Sequence, residues 1–393
     1  MNKLKLLFAS YVALILGLFF YSFTQVDLSL TLSKISIYQT LEKQLQYVGF
    51  FQRPLSTEIF SIIVSLLFIF YIYFLYLAKK QQFSLRNLKI LSFLTFILLV
   101  FSYNAFSYDL FNYIFDAKIL TFYHLNPYFH TPLDFTNDPM LNFMRWTHRF
   151  YPYGPSWLIL TVPISFIGAN VFLPTFFMFK ILIGLSFLGS VYLIYKISEN
   201  LFPKEKVLNT VFFAFNPLVI IEGLVSSHND FPMVFFALLS IYLYLQKKNF
   251  YSFVSLIFSI GIKYSTAVLL PVLAVVMYFE KTKRRVNWEV VFLSSVVLSL
   301  TAIIFASFRT TFQPWYLIVS FALGSLIAKK YYVFIPVLVS TISCLFIYGV
   351  YVYMSDYAKG YPQIIANIEW IGLIVSIILT IVYFLKIRLL PKN

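Results

Sequence analysis

The sequence predicts an all-α, polytopic integral membrane protein, and three observations predict it. Only 11% of the residues are charged and 60% are hydrophobic, where a soluble domain carries roughly 25% charged residues. Apolar runs near the ~20 residues that cross a bilayer recur from end to end, without the ~10-residue alternation of a β-barrel. Lysine and arginine collect between those runs in a regular alternation.

Taken in order, Met1–Lys5 is a short basic start before an apolar run to about Phe23. No small-residue cleavage site follows, so the run reads as a first span. After a polar loop, Thr57–Ala78 and Ile90–Phe106 read as spans separated by Lys79, Lys80, Arg86 and Lys89. A piece ending at Ile167 is too short to cross and reads as a helix against the outer leaflet. Val171–Tyr195, Val207–Val225 and Phe231–Leu245 follow. Tyr251–Phe279 is broken at Lys263-Tyr264-Ser265 and has basic residues at both ends, the pattern of a two-helix hairpin. Val290–Phe308, Pro314–Ala328, Tyr331–Met354 and Trp370–Leu385 complete about 12 membrane segments in a single domain, residues 1–393.

With both termini inside, 20 of the 30 Lys/Arg fall in cytoplasmic segments and eight in the longer outer ones. That asymmetry accounts for the net charge of +15 without a nucleic-acid partner. The single cysteine, Cys344, excludes a disulfide within the chain. The many Phe and Tyr suit lipid-facing and interfacial positions.

Most of the polar chemistry sits in Ser107–Trp157, expected to be extracytoplasmic. It carries four carboxylates, Asp109, Asp116, Asp134 and Asp138. In a helix over Ser107–Leu120, Asp109, Asn112, Tyr113 and Asp116 share one face. Asp109 is the first charge after a span, where a carboxylate is costly without a purpose, and it suits a general base. Asp134 and Asp138, among Asn, Thr and Pro, read as loop-solvating residues. Glu222 falls within a span and needs a partner or a cavity. His228-Asn229-Asp230 is either a plain turn or a sugar-binding one. Lys263 either snorkels to the interface or faces a phosphate. Arg309 suits a phosphate, and Trp315 and Tyr316 suit a sugar ring or an interfacial anchor.

The order Tyr108-Asp109, Phe115-Asp116-Ala117, Asn126-Pro127-Tyr128, Tyr151–Pro155, Asn216-Pro217-Leu218, Glu222-Gly223, His228-Asn229-Asp230, Gly261–Ser265 and Gln313-Pro314-Trp315-Tyr316 resembles the GT-C membrane glycosyltransferases. It is nearest to polyprenyl-phosphate-mannose-dependent mannosyltransferases and related bacterial proteins. The likeness spans about Phe106–Tyr316 and leaves the helices of 317–393 outside it. It implies a catalytic loop over 107–170 and an active site on the extracytoplasmic face of a bacterial cytoplasmic membrane. It implies inverting transfer of mannose or another hexose from a polyprenyl-phosphate donor to a glycolipid or glycan. Asp109 matches the catalytic base. Asp116 is a possible second acid, and His228, Asn229, Asp230, Lys263, Arg309, Gln313, Trp315 and Tyr316 fall in the substrate-binding motifs. The family's paired acids are reduced here to one, which puts a motif-bound divalent cation in doubt; no other cofactor is implied. Two rival classes are a flippase for lipid-linked sugars, which predicts symmetric mid-span polar residues, and a non-catalytic membrane subunit.

Overall fold

A computed structural model describes residues 3–308, 310–354 and 361–389. Among these residues every regular element is helical. The helices are α1 (Lys3–Ser22), α2 (Ser36–Gln46), α3 (Arg53–Lys79), α4 (Leu85–Leu99), α5 (Asp109–Thr121), α6 (Pro155–Ile167), α7 (Phe172–Leu201) and α8 (Lys206–Ala214). They continue as α9 (Pro217–Ile220), α10 (Asp230–Leu245), α11 (Asn249–Ile260), α12 (Leu269–Lys281), α13 (Trp288–Ser307), α14 (Ile318–Ser325), α15 (Tyr331–Met354) and α16 (Tyr361–Leu389).

Local sequence sets many of the boundaries. Ser84 accepts a hydrogen bond from Asn87 N–H and starts α4. Asn287 caps α13 in the same way. Asn216-Pro217 ends α8 and starts α9 with a bend of 55°, because proline cannot continue the α8 ladder. Asn216 caps the new helix, and its amide donates to Thr341 Oγ1 of α15 at 2.9 Å. The Asn-Pro-Leu motif is therefore a hinge with a tie across the bundle.

Seven helices are long and apolar enough to cross a membrane, and α8 with the segment Pro217–Val225 makes an eighth if the bent pair is one span. Length and composition thus support seven or eight spans, and the remainder of the twelve expected membrane segments are shorter. Pro155–Ile167, Asp230–Leu245, Asn249–Ile260 and Pro314–Ser325 are apolar but short. At 1.5 Å per residue, helices of this size rise about 18–24 Å, less than the ~30 Å hydrocarbon core. The break inside 251–279 is present: α11 stops at Ile260, and a 3₁₀ turn over Tyr264–Val268 leads into α12.

The interior is tied by aromatic and polar side chains. Tyr11, Phe74, Phe83 and Phe215 pack edge to face across α1, α3 and the end of α8. Tyr71 of α3 donates to the Phe212 carbonyl of α8 at 2.9 Å. Part of the aromatic content is thus core rather than lipid-facing surface. Around this interior α7 packs on α8 and α10, α10 on α11, α3 on α15, and α5 on α6. The result gathers four breaks in the helical pattern near one another: the start of α5, the turn 226–229, the break 261–263 and the 3₁₀ turn Pro314–Leu317.

Candidate active site

Asp109 is the first residue of α5, and its backbone N–H donates to Ser107 Oγ at 3.1 Å. One turn on, Tyr113 OH donates to Asn229 Oδ1 at 3.3 Å, so the shared face expected of this helix meets the 226–229 turn. Asp109 Oδ1 accepts from the indole N–H of Trp146 at 3.1 Å. Its other oxygen lies 3.6 Å from His228 Nδ1. The opposite ring nitrogen of His228 lies 3.1 Å from Glu222 Oε2, and Tyr348 of α15 donates to the second Glu222 oxygen. A line of contacts therefore runs Trp146–Asp109–His228–Glu222–Tyr348. Glu222 has the partners that its place in an apolar segment demands.

The electrostatics follow from this line. Burial alone opposes charge on His228, but the carboxylates of Asp109 and Glu222 outweigh it and push the ring up to about 9. Desolvation likewise opposes charge on Asp109. The His228 ring, the Lys263 charge and the Trp146 N–H overcome it and hold the carboxyl below its ordinary range. Asp116 has the opposite fate: burial, then the charge of Asp109, holds it well above the ordinary range. At neutral pH the site contains an ionised Asp109 with a side chain 14% exposed, while Asp116 is buried, where its charge is disfavoured.

The other sequence candidates take definite places. The ammonium of Lys263 donates to both oxygens of Asp230, at 3.0 and 2.8 Å, and sits 5.0 Å from the ring centroid of Tyr316. Trp315 stacks on the His228 ring with centroids 3.9 Å apart and planes 16° from parallel. The two aromatics thus hold site residues rather than acting as free interfacial anchors. Gln313 bonds to Thr311 at 3.2 Å in its own loop and is not brought to Asp109. Arg309 lies outside the described residues.

Two loop carboxylates separate. Asp134 caps its own turn through Thr131 and His130. Asp138 corrects the loop-solvating expectation. It is buried, paired with Lys118, accepts from Tyr123 OH at 2.7 Å and from Met140 N–H at 2.9 Å, and so anchors the loop to α5.

The turn itself is polar and closed. Ser226, Ser227, His228 and Asn229 are fully buried, and Ser227 has φ 54°. Among the described residues, Ser226 Oγ, Ser227 Oγ and Asn229 Nδ2 lack a hydrogen-bond partner. Unpaired buried polar atoms are uncommon and call for a reason, such as water or a ligand. Among the described residues, no group of three His, Cys, Asp or Glu is arranged to hold a metal ion; His228 occupies the space between Asp109 and Glu222.

Beside the turn, Gly154 N–H donates to the Ile262 carbonyl at 3.3 Å and Ser156 N–H to the Gly261 carbonyl at 2.9 Å. The Pro-Tyr-Gly-Pro and Gly-Ile-Lys motifs are two halves of one backbone contact, which holds Lys263 in place.

The model of one protein family, alpha-(1->6)-mannopyranosyltransferase, N-terminal domain (the MptA_B family), matches residues 22–279. The chain belongs to this family. It is a multi-pass membrane protein of a mannosyltransferase family, as its span-length helices and the matched model agree. The match includes Asp109, His228 and Lys263 and stops short of Trp315 and Tyr316. Neither a curated protein nor a solved structure matches the chain.

Among the residues at or beside this cluster, sequence reasoning missed Trp146 and Tyr348, which contact Asp109 and Glu222, and Lys180, which bonds to the Leu224 and Val225 carbonyls just before the 226–229 turn. Lys180 left a signal, a lone lysine inside an apolar span. Trp146 and Tyr348 left none, since their roles depend on contacts 37 and 126 residues away.

Proposed function

We propose that this chain transfers mannose from a polyprenyl-phosphate-mannose donor to the primary hydroxyl of a mannoside glycolipid or glycan at the extracytoplasmic face, with Asp109 as general base. The observation that carries the reading is the ionised, partly exposed Asp109 at the head of α5, facing a turn of buried unpaired polar atoms, in a chain of the mannopyranosyltransferase family.

In the reaction, the acceptor oxygen attacks the anomeric carbon as the bond from that carbon to the phosphate oxygen breaks. The hydroxyl proton goes to Asp109, and polyprenyl phosphate leaves with the electron pair. Direct displacement inverts the anomeric centre, so an α-(1→6) product requires a donor whose mannose is β-linked. Asp116, two turns along α5, is buried and its carboxyl is held well above the ordinary range, which disfavours it as a second nucleophile; this supports single over double displacement. His228 bears a charge balanced by two carboxylates and keeps Asp109 ionised and oriented. Lys263, with a side chain 22% exposed, offers positive charge to the departing phosphate, with Arg309 as the second candidate cation.

The test is incubation of the purified full chain with labelled polyprenyl-phosphate-mannose and a mannoside glycolipid. An α-(1→6)-linked mannosyl product is expected from the parent and lost in Asp109→Asn. A parent that forms no product from this donor overturns the reading.

A further inference from the structure

Lys180 lies inside α7, in a segment long enough to cross a membrane, and is 1% exposed. No carboxylate among the described residues pairs with it. Its ammonium instead meets three oxygens: the Leu224 carbonyl at 2.9 Å, the Val225 carbonyl at 3.1 Å and Ser102 Oγ at 3.2 Å. Three acceptors match the three N–H donors of an ammonium group.

The two carbonyls end the π-helical turn Ile221–Val225, which runs straight into the site. Ile221 O is taken by Ser226 N–H at 2.7 Å and Glu222 O by His228 N–H at 3.1 Å. The left-handed Ser227 then reverses the chain, so no following N–H continues the ladder to Leu224 and Val225. Helix ends leave such carbonyls unpaired, and a hydrogen-bond donor there satisfies them. Ser102 follows α4 and in turn donates to the Leu99 carbonyl at 2.6 Å. It precedes Asp109 by seven residues, while Val225 precedes His228 by three. One side chain thus grips both strands of chain that lead to the Asp109–His228 pair.

We infer that Lys180 is a positioning residue for the transfer site: from a neighbouring helix it caps the Ile221–Val225 turn and fixes that turn to the end of α4, which sets the approach of His228 to Asp109. Without it, two buried carbonyls lose their partner and the 226–229 turn is free to relax. The inference deepens the proposed function in its activity arm only; its structural arm is independent of any substrate.

The structural arm uses the fact that the chain has four histidines. In the full-length protein with ring-labelled histidine, His228 is assigned by its loss in His228→Gln, and its NMR signal is expected to titrate near 9 in the parent. In Lys180→Met it is expected to fall toward the ordinary histidine value of about 6.5, as the carboxylates move away. Turnover should drop about 10²-fold, the scale of a misplacement near 1 Å, with the donor KM little changed. A His228 titration that stays in place in Lys180→Met overturns the proposal. Where Lys180→Met does not accumulate as folded protein, Ser102→Ala decides. It removes one of the three acceptors, so a partial fall supports the proposal and an unmoved signal overturns it. A parent that transfers no mannose while the histidine signal moves in Lys180→Met rejects the transfer reading and leaves the positioning role standing.

Discussion

Asp109 and Asp116 are the same residue type on the same helix face, and their surroundings divide them. Asp109 faces a protonated His228 and an indole N–H, while Asp116 is buried next to Asp109's charge. Asp109→Asn keeps the shape but cannot accept the acceptor's proton, so transfer should fall by ~10²–10⁴-fold, measured as initial rate on folded protein. Asp116→Asn removes a buried carboxyl whose charge is already disfavoured and should leave the rate within a few-fold. Equal losses in the two variants contradict this division of roles.

His228 gives the site a pH dependence whose sign can be worked out. Its folded value, about 9, is raised above the ordinary 6.5. The stability it contributes is therefore fully present below about 6.5 and is lost as pH rises through about 9. The melting temperature should decline across that window in the parent and flatten in His228→Gln. An identical decline in both proteins assigns it to another group.

At the scale of elements, the docking of the 151–155 turn on the hairpin break is a close backbone contact next to the site. A Cβ on Gly154 would lie 2.3 Å from the Gly261 carbonyl oxygen, and backbone on both sides cannot yield cheaply. Gly154→Ala should push the start of α6 off the hairpin and loosen Lys263, so the donor KM should rise more than kcat falls. The reverse pattern separates this contact from donor binding. The outer loop has its own anchor in Asp138. Asp138→Asn leaves Lys118 without its carboxylate and should cost about 1–3 kcal/mol, seen as a lower melting temperature with near-normal transfer per folded molecule.

At the scale of the whole molecule, the proposal that the site is extracytoplasmic rests on charge asymmetry. Thr136 in the 107–157 loop and Thr282 after α12 are both exposed, and the single native cysteine, Cys344, is buried. An impermeant thiol reagent added to intact cells should therefore label Thr136→Cys and miss Thr282→Cys. Labelling of Thr282→Cys alone would place the site on the cytoplasmic face and remove the lipid-phosphate donor reading with it.

The sequence by itself determined the helical membrane class, a break in 251–279 at Lys263-Tyr264-Ser265, a helix over Ser107–Leu120 and the chain's likeness to membrane mannosyltransferases; the structure sets the break at 261–263 and the helix start at Asp109. These features are written locally, in apolar run length, proline and asparagine at helix starts, and short motifs in order. Span number was less legible, because hydropathy marks an apolar run but not whether it is long enough to cross. Only the tertiary structure decided which polar residues meet. Glu222 and Tyr348 are far apart in sequence, Trp315 reaches His228 from another element, and Lys263 turns to Asp230. The same holds for protonation: the sequence contains two aspartates on one face, and what each meets in space pushes one below the ordinary carboxylate range and the other well above it. Charge on a buried group depends on what surrounds it in three dimensions, and no local pattern encodes that.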